Sequence, residues 1–246
     1  VCDPAIGSGA FPMGILNEMV MLINVLHEAS PDVVENTWQM TNWQPATVKK
    51  HIIQNSIYGV DIEKGAVDIA RLRFWLSLII DEEHPGALPS LDYKIVVGNS
   101  LVSKLGEDVI DIDWSLESEA LELFNEDLKE RKKDLLRQIS LKQKQYYETT
   151  GDKHKLAAQI RNLKIDLLIN QLELMINKQD MVAEPVPEYY RNKPKAKYKE
   201  DVNKYLQCQG WEKQINRLKR IKANPGESLD FFDWKLDFPE VLNELI

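Results

Sequence analysis

Near the start of the chain stands Asp3-Pro4-Ala5-Ile6-Gly7-Ser8-Gly9-Ala10-Phe11. Two glycines one residue apart permit a tight turn and a close approach of the backbone to a ligand. A carboxylate at the head of such a turn repels a pyrophosphate, yet it accepts hydrogen bonds from an ammonium group or water. That suits a cofactor with a positively charged amino-acid end and no phosphate, as in S-adenosylmethionine. The dinucleotide fingerprint G-x-G-x-x-G fits less well. Gly7 and Gly9 match its first two glycines, but position 12 is Pro. The next acid at a strand end, Asp61, comes far later than the ~20 residues the fingerprint expects. A plain glycine-rich turn between strand and helix is the alternative.

Two further segments carry the same kind of signal. Tyr58-Gly59-Val60-Asp61-Ile62 reads as a buried strand ending in a carboxylate. There it can accept both hydroxyls of a ribose, with Ile62 against an adenine face. Alternatively, Asp61 caps the helix that follows. Val96-Val97-Gly98-Asn99-Ser100-Leu101 ends a third strand. The Asn99 amide offers a donor and an acceptor to an adenine edge, or it is an ordinary turn residue.

Strands and helices must alternate to line up these three tips. Val1–Asp3 is a strand end. Phe11, Ile15, Met19, Leu22, Ile23 and Leu26 recur at helical spacing, with Pro12 in the first turn. The stretch 36–45, with its tryptophans, reads as irregular, and 45–56 as a helix. Ile57–Asp61 is a strand, Glu63–Asp81 a helix, Pro85-Gly86 part of a loop, and Tyr93–Val97 a strand. This is the alternation of a doubly wound α/β sheet, with ligands expected at the strands' carboxyl ends.

The middle of the chain differs. Leu121, Phe124, Leu128, Leu135 and Ile139, then Leu156, Ile160, Leu163, Leu167 and Leu174, recur at helical spacing on either side of Thr149-Thr150-Gly151-Asp152-Lys153. We expect a two-armed antiparallel helical hairpin, an extended stretch over 182–199, and a helix over about 201–222. The return at 227–246 carries Phe231, Phe232, Trp234 and Phe238, read as one aromatic cluster. The expected domains are 1–114, a cofactor-binding α/β part, 115–226, a helical insertion, and 227–246, a return to the α/β part.

Charge follows the same division. The 246 residues carry a net −8, but Asn125–Lys222 holds 23 Lys and Arg against 14 Asp and Glu. Lys129, Arg131, Lys132, Lys133, Arg137, Lys142 and Lys144 crowd one arm, expected on its outer face. Lys193, Lys195, Lys197 and Lys199 alternate in the stretch beyond, and alternation puts them on one side of an extended backbone. Such a surface can meet a phosphate backbone or serve only solubility. Two cysteines and four scattered histidines give neither a disulfide framework nor a zinc site, so no metal is expected. No run of ~18 uninterrupted apolar residues suggests a membrane span, and no leader pattern is visible. A cytoplasmic location is expected.

The three tips in this order, D-P-A-x-G-S-G, G-V-D-I and G-N-S-L, together resemble the N6-adenine DNA methyltransferases of large restriction–modification and phage-defence proteins. The run Ile57–Leu78 (IYGVDIEKGAVDIARLRFWLSL) is also similar, and the likeness covers about 1–104 and 229–246. It implies a partial Rossmann-like S-adenosylmethionine-dependent methyltransferase sheet, of α/β class, with a long α-helical insertion. It implies that Asp3, Ala5, Gly7 and Gly9 line the methionine end and that Phe11 packs at the motif edge. Asp61 would hold the ribose, Ile62 would lie against adenine, and Asn99 would meet the adenine edge. The implied reaction methylates a flipped adenine of DNA. The family's Asn/Asp/Ser-Pro-Pro-aromatic tetrad is missing from 1–246. Asn224-Pro225-Gly226-Glu227 lacks the second Pro and the aromatic. No catalytic residue is therefore assigned, and the chain is expected to be a part of a larger enzyme, inactive in transfer by itself. A methyltransferase acting on RNA or protein, or a non-catalytic interaction module, remains an alternative.

Overall fold

A computed structural model describes residues 1–40, 43–81, 87–116, 126–149, 151–179, 184–187 and 194–242. Leu121, Phe124, Pro85-Gly86, Thr150 and Lys193, all used above, lie outside the described residues. The chain forms two compact units. The first comprises Val1–Val102, Gln143–Lys153 and Phe232–Phe238; the second comprises Ser103–Lys142, His154–Phe231 and Pro239–Ile246.

In the first unit β1 (Cys2–Asp3), β2 (Tyr58–Asp61) and β3 (Ile95–Val97) pair in parallel, in the order β1-β2-β3. Asp3 lies opposite Gly59, Gly59 opposite Ile95, and Asp61 opposite Val97. The two-residue alternation of strands sorts the side chains onto two faces. Ile95 joins Ile6, Leu16, Ile52, Val67, Phe74 and Leu78 in a core with the helices α1 (Ala10–Ala29), α3 (Pro45–Ser56) and α4 (Lys64–Ile79). Tyr58, Val60 and Val96 form a second cluster with Phe232 and Phe238, and Trp234 packs against it. Phe231 is not part of that cluster.

The observed strands are shorter than expected. Before β3 the chain makes a turn, with the N–H groups of Lys94 and Ile95 donating to the Leu91 carbonyl at 3.0 and 2.9 Å. Part of the stretch expected to be irregular is a helix, α2 (Pro31–Trp38), with Pro31 at its start and Gln39 left-handed at its end. Its Trp38 stacks on His51 of α3, and Trp43, just before α3, stacks on His27 of α1 at 4.0 Å. By length and composition alone, α1 could cross a membrane. Asn17, Glu18 and Asn24 interrupt it, so it is not an uninterrupted apolar run. Here α1 packs against α2, α3 and α4, with Pro12 and Leu16 buried.

The second unit opens with an unexpected hairpin, β4 (Lys104–Leu105) against β5 (Asp108–Val109). It contains α5 (Glu126–Glu148) through Lys142, α6 (Lys153–Lys178) from His154, and α7 (Lys195–Ala223). Asn170 of α6 donates to the Leu128 carbonyl at 2.9 Å, so α5 and α6 run antiparallel. The two form the expected antiparallel helical pair, but α6 is buried on more than one face, with Lys164, Asn170 and Gln171 included. Lys222 of α7 bonds Asp166 of α6 at 2.6 Å, and Arg161 of α6 bonds the carbonyls of Ile221 and Asn224. Apolar residues beyond the expected stripe, Ile165, Leu168, Ile169, Leu172 and Met175, make the burial continuous.

Two charge expectations also change. Lys195, Lys197 and Lys199 lie in α7, not in an extended stretch. Steps of 100° per residue leave Lys195 and Lys199 on one side and turn Lys197 to the other, where it is paired with Asp201 at 3.0 Å. Lys132 is buried, donating to the Trp114 carbonyl at 3.0 Å, whereas Arg131, Lys133 and Arg137 are exposed.

Candidate functional site

The first strand leads into a loop held by its own backbone. Asp3 Oδ1 accepts the N–H of Ala5 at 3.0 Å. Ile6 N–H donates to Val60 O at 3.0 Å, and Gly9 N–H to Ile6 O at 2.9 Å. Gly7 and Gly9 both have positive φ, 55° and 80°. Gly9 is the N-cap of α1, and a Cβ there would meet the Ala70 Cβ at 3.1 Å. Around Gly7 a Cβ would find open space, the nearest atom being Ala5 O at 4.0 Å. One glycine is thus required by conformation and by contact with α4. The other is required by conformation and leaves its surroundings clear.

Asp61 joins this loop to the second strand tip. Its Oδ2 accepts the N–H of Gly7 at 2.8 Å, and its Oδ1 accepts the N–H of Glu63 at 2.9 Å. The cap of α4 is Glu63, so Asp61 is not the helix cap. A carboxylate has about four lone-pair positions. Two are used here, and two remain for hydroxyl donors. The third tip is fixed to the second by Gly98 N–H donating to Asp61 O at 2.9 Å.

Asn99 makes a turn of its own. Its Oδ1 accepts from Leu101 N–H at 2.9 Å and Val102 N–H at 3.0 Å. Both lone pairs are committed, so what the amide can still offer is its Nδ2 hydrogens, not an acceptor for an amino group. Trp234 Nε1–H donates to the Ser100 carbonyl at 3.0 Å.

Apolar side chains stand exposed around the three tips: Phe11 is 64% exposed, Ile62 66% and Leu101 90%. Asp3, Gly7, Asp61 and Asn99 are half-buried, Ala5 is exposed and Gly9 is buried. Hydrogen bonds between the loops bring Asp61 and the glycine turn together and set the Asn99 turn directly after β3. Phe11 and Ile62 stand exposed beside these turns, and Ala5 enters through its N–H on Asp3. Beside Asp3, burial pushes the Cys2 thiol up from its ordinary pKa, so it stays protonated at neutral pH. Among the described residues no cluster of three or more His, Cys, Asp or Glu could hold a metal. The three tips offer carboxylate acceptors at Asp3 and Asp61, amide hydrogens at Asn99 and exposed apolar side chains around them.

Trp234 was visible in the sequence only as one of several aromatics. Nothing in the sequence named Ser100 as its partner.

Residues 55–244 match a family model described as Eco57I restriction-modification methylase. A protein of Methanocaldococcus jannaschii, named a "putative type II restriction enzyme and methyltransferase", is 28% identical over an alignment covering 99% of this chain. The alignment covers 21% of that protein, so the chain spans about a fifth of the length of this relative. No solved structure matches.

Proposed function

Because the chain belongs to the Eco57I restriction-modification methylase family, we propose that its first unit binds S-adenosylmethionine for methyl transfer to the N6 amine of adenine in DNA. One observation carries the reading: the carboxylate of Asp61 holds the Gly7 turn and keeps two lone pairs over for a ribose. Asp3, Ala5, Gly7 and Gly9 take the methionine end, through the free Asp3 oxygen and the open backbone around Gly7. Asp61 accepts the two ribose hydroxyls. Ile62 and Phe11 cover apolar faces, which removes water from them. Asn99 donates to adenine N1 through Nδ2. When bound, the cofactor supplies the methyl group. These residues bind and orient it, and none of them is assigned to the transfer step.

The partner in this reading is DNA, and the location is the cytoplasm, where that substrate lies. The sheet is read as part of a Rossmann-like methyltransferase fold. In the second unit the exposed Arg131, Lys133 and Arg137 of α5, with Lys219 and Arg220 of α7, are proposed to meet phosphates without reading sequence. Methyl transfer and target choice belong to the longer protein.

The test is calorimetric titration of this chain with S-adenosylmethionine, S-adenosylhomocysteine and NAD. Binding of both adenosyl amino acids without NAD is the expected result. Binding of NAD alone, or of none of the three, would overturn the reading.

A further inference from the structure

Trp234 lies 134 residues beyond Ser100 in the chain, yet its indole N–H holds the Ser100 carbonyl at 3.0 Å. Ser100 sits inside the turn that Asn99 closes onto Leu101 and Val102. The turn is therefore gripped from both sides, by Asn99 within it and by Trp234 from outside. The residue before it is gripped too. A Cβ on Gly98 would fall 2.5 Å from the Cβ of Phe232, so the backbone at Gly98 lies against that side chain. Phe232 meets Trp234 edge to face at 5.3 Å, and Phe238 lies 5.7 Å from Trp234. Asp233 caps the short helix α8 (Trp234–Asp237), accepting from Lys235 and Leu236 N–H at 2.9 and 3.1 Å. The indole thus stands on a fixed base. Leu101 beside it is largely exposed, so few apolar contacts hold the turn itself.

We propose that Trp234 is a positioning residue for cofactor binding: its N–H holds the 99–102 turn so that the Asn99 amide donors face the adenine edge. This rests on the reading that Asn99 meets adenine. Without the bond the turn gains freedom that binding must then remove. A single net hydrogen bond corresponds to roughly a 3–10-fold change in affinity.

The experiment compares S-adenosylhomocysteine with S-inosylhomocysteine, whose N1 carries a hydrogen and cannot accept from Asn99. Affinities and melting temperatures are measured for this chain and for Asn99→Ala, Trp234→Phe and Phe238→Leu. Phe238→Leu loosens the aromatic cluster while leaving the indole bond. The wild-type chain should prefer the adenosyl ligand, and Asn99→Ala should lose that preference. Trp234→Phe should lower adenosyl affinity about 3–10-fold and leave inosyl affinity unchanged, while Phe238→Leu melts lower and keeps the preference. If Asn99→Ala loses the preference and Trp234→Phe keeps it, the bracing role is wrong and the adenine reading stands. Equal loss in Trp234→Phe and Phe238→Leu would reduce Trp234 to packing and overturn the proposal. No preference in the wild type, or one that survives Asn99→Ala, would overturn the adenine reading and this proposal with it.

Discussion

The carboxylate of Asp61 accepts the backbone N–H of Gly7 at 2.8 Å across 54 residues of chain. That bond makes one site of two turns that are far apart in sequence. It also orients Asp61, whose other oxygen is held by Glu63 N–H. A carboxylate fixed at both oxygens loses little further freedom when a ligand arrives.

Gly9 is the most demanding position of the first turn. Alanine at φ 80° is strained by roughly 1–2 kcal/mol, and its Cβ would press on Ala70 at 3.1 Å. Gly9→Ala should lower the melting temperature by roughly 3–8 °C for a chain of this size. Differential scanning calorimetry checks this; an unchanged melting temperature would mean that the turn relaxes freely.

Three tyrosines of the first unit should ionise late. Burial, then the neighbouring Asp92 carboxylate to which its hydroxyl donates at 2.9 Å, pushes Tyr146 up to about 12. Burial also raises Tyr93 and Tyr147. A folded pKa above the unfolded value of ~10 means that stability is full below pH ~10 and is lost as pH rises through the folded pKa. Tyrosinate absorbance should still be climbing above about pH 11, together with loss of near-ultraviolet circular dichroism. Complete ionisation below that pH, with the fold intact, would contradict the packing around Asp92.

If the second unit meets DNA phosphates, its affinity for duplex must fall steeply with salt, by a log–log slope of about −0.9 per contact. Changing Arg131, Lys133 and Arg137 to Gln should shallow that slope by up to about 2.7. Identical slopes for the two proteins would remove α5 from the DNA surface, consistent with the acidic Glu130 and Asp134 interspersed there.

The strand tips were legible because their chemistry is local: a Gly-x-Gly turn and an Asp or Asn at a strand end announce themselves within ten residues. The helix α3 was equally legible from its Pro45 start. Other features needed partners that a sequence does not name. The apolar spacing of α6 shows that a helix is buried, but not that α5 covers one side of it and α7 another. Lysines at 195, 197 and 199 alternate as a strand would, yet α7 includes them, with Lys197 paired to Asp201 one turn on. That Asn99 spends both Oδ1 lone pairs on its own turn appears only when both N–H groups are seen there.

The most direct test of the central claim is the affinity of this chain for S-adenosylhomocysteine with and without the Asp61 carboxylate. Hydrogen bonds to a charged group contribute about 1.5–3 kcal/mol each, so Asp61→Ala should weaken binding by at least ~10-fold. An unchanged dissociation constant in Asp61→Ala would contradict the account, because the residue that joins the glycine turn to the second strand would then hold no part of the ligand.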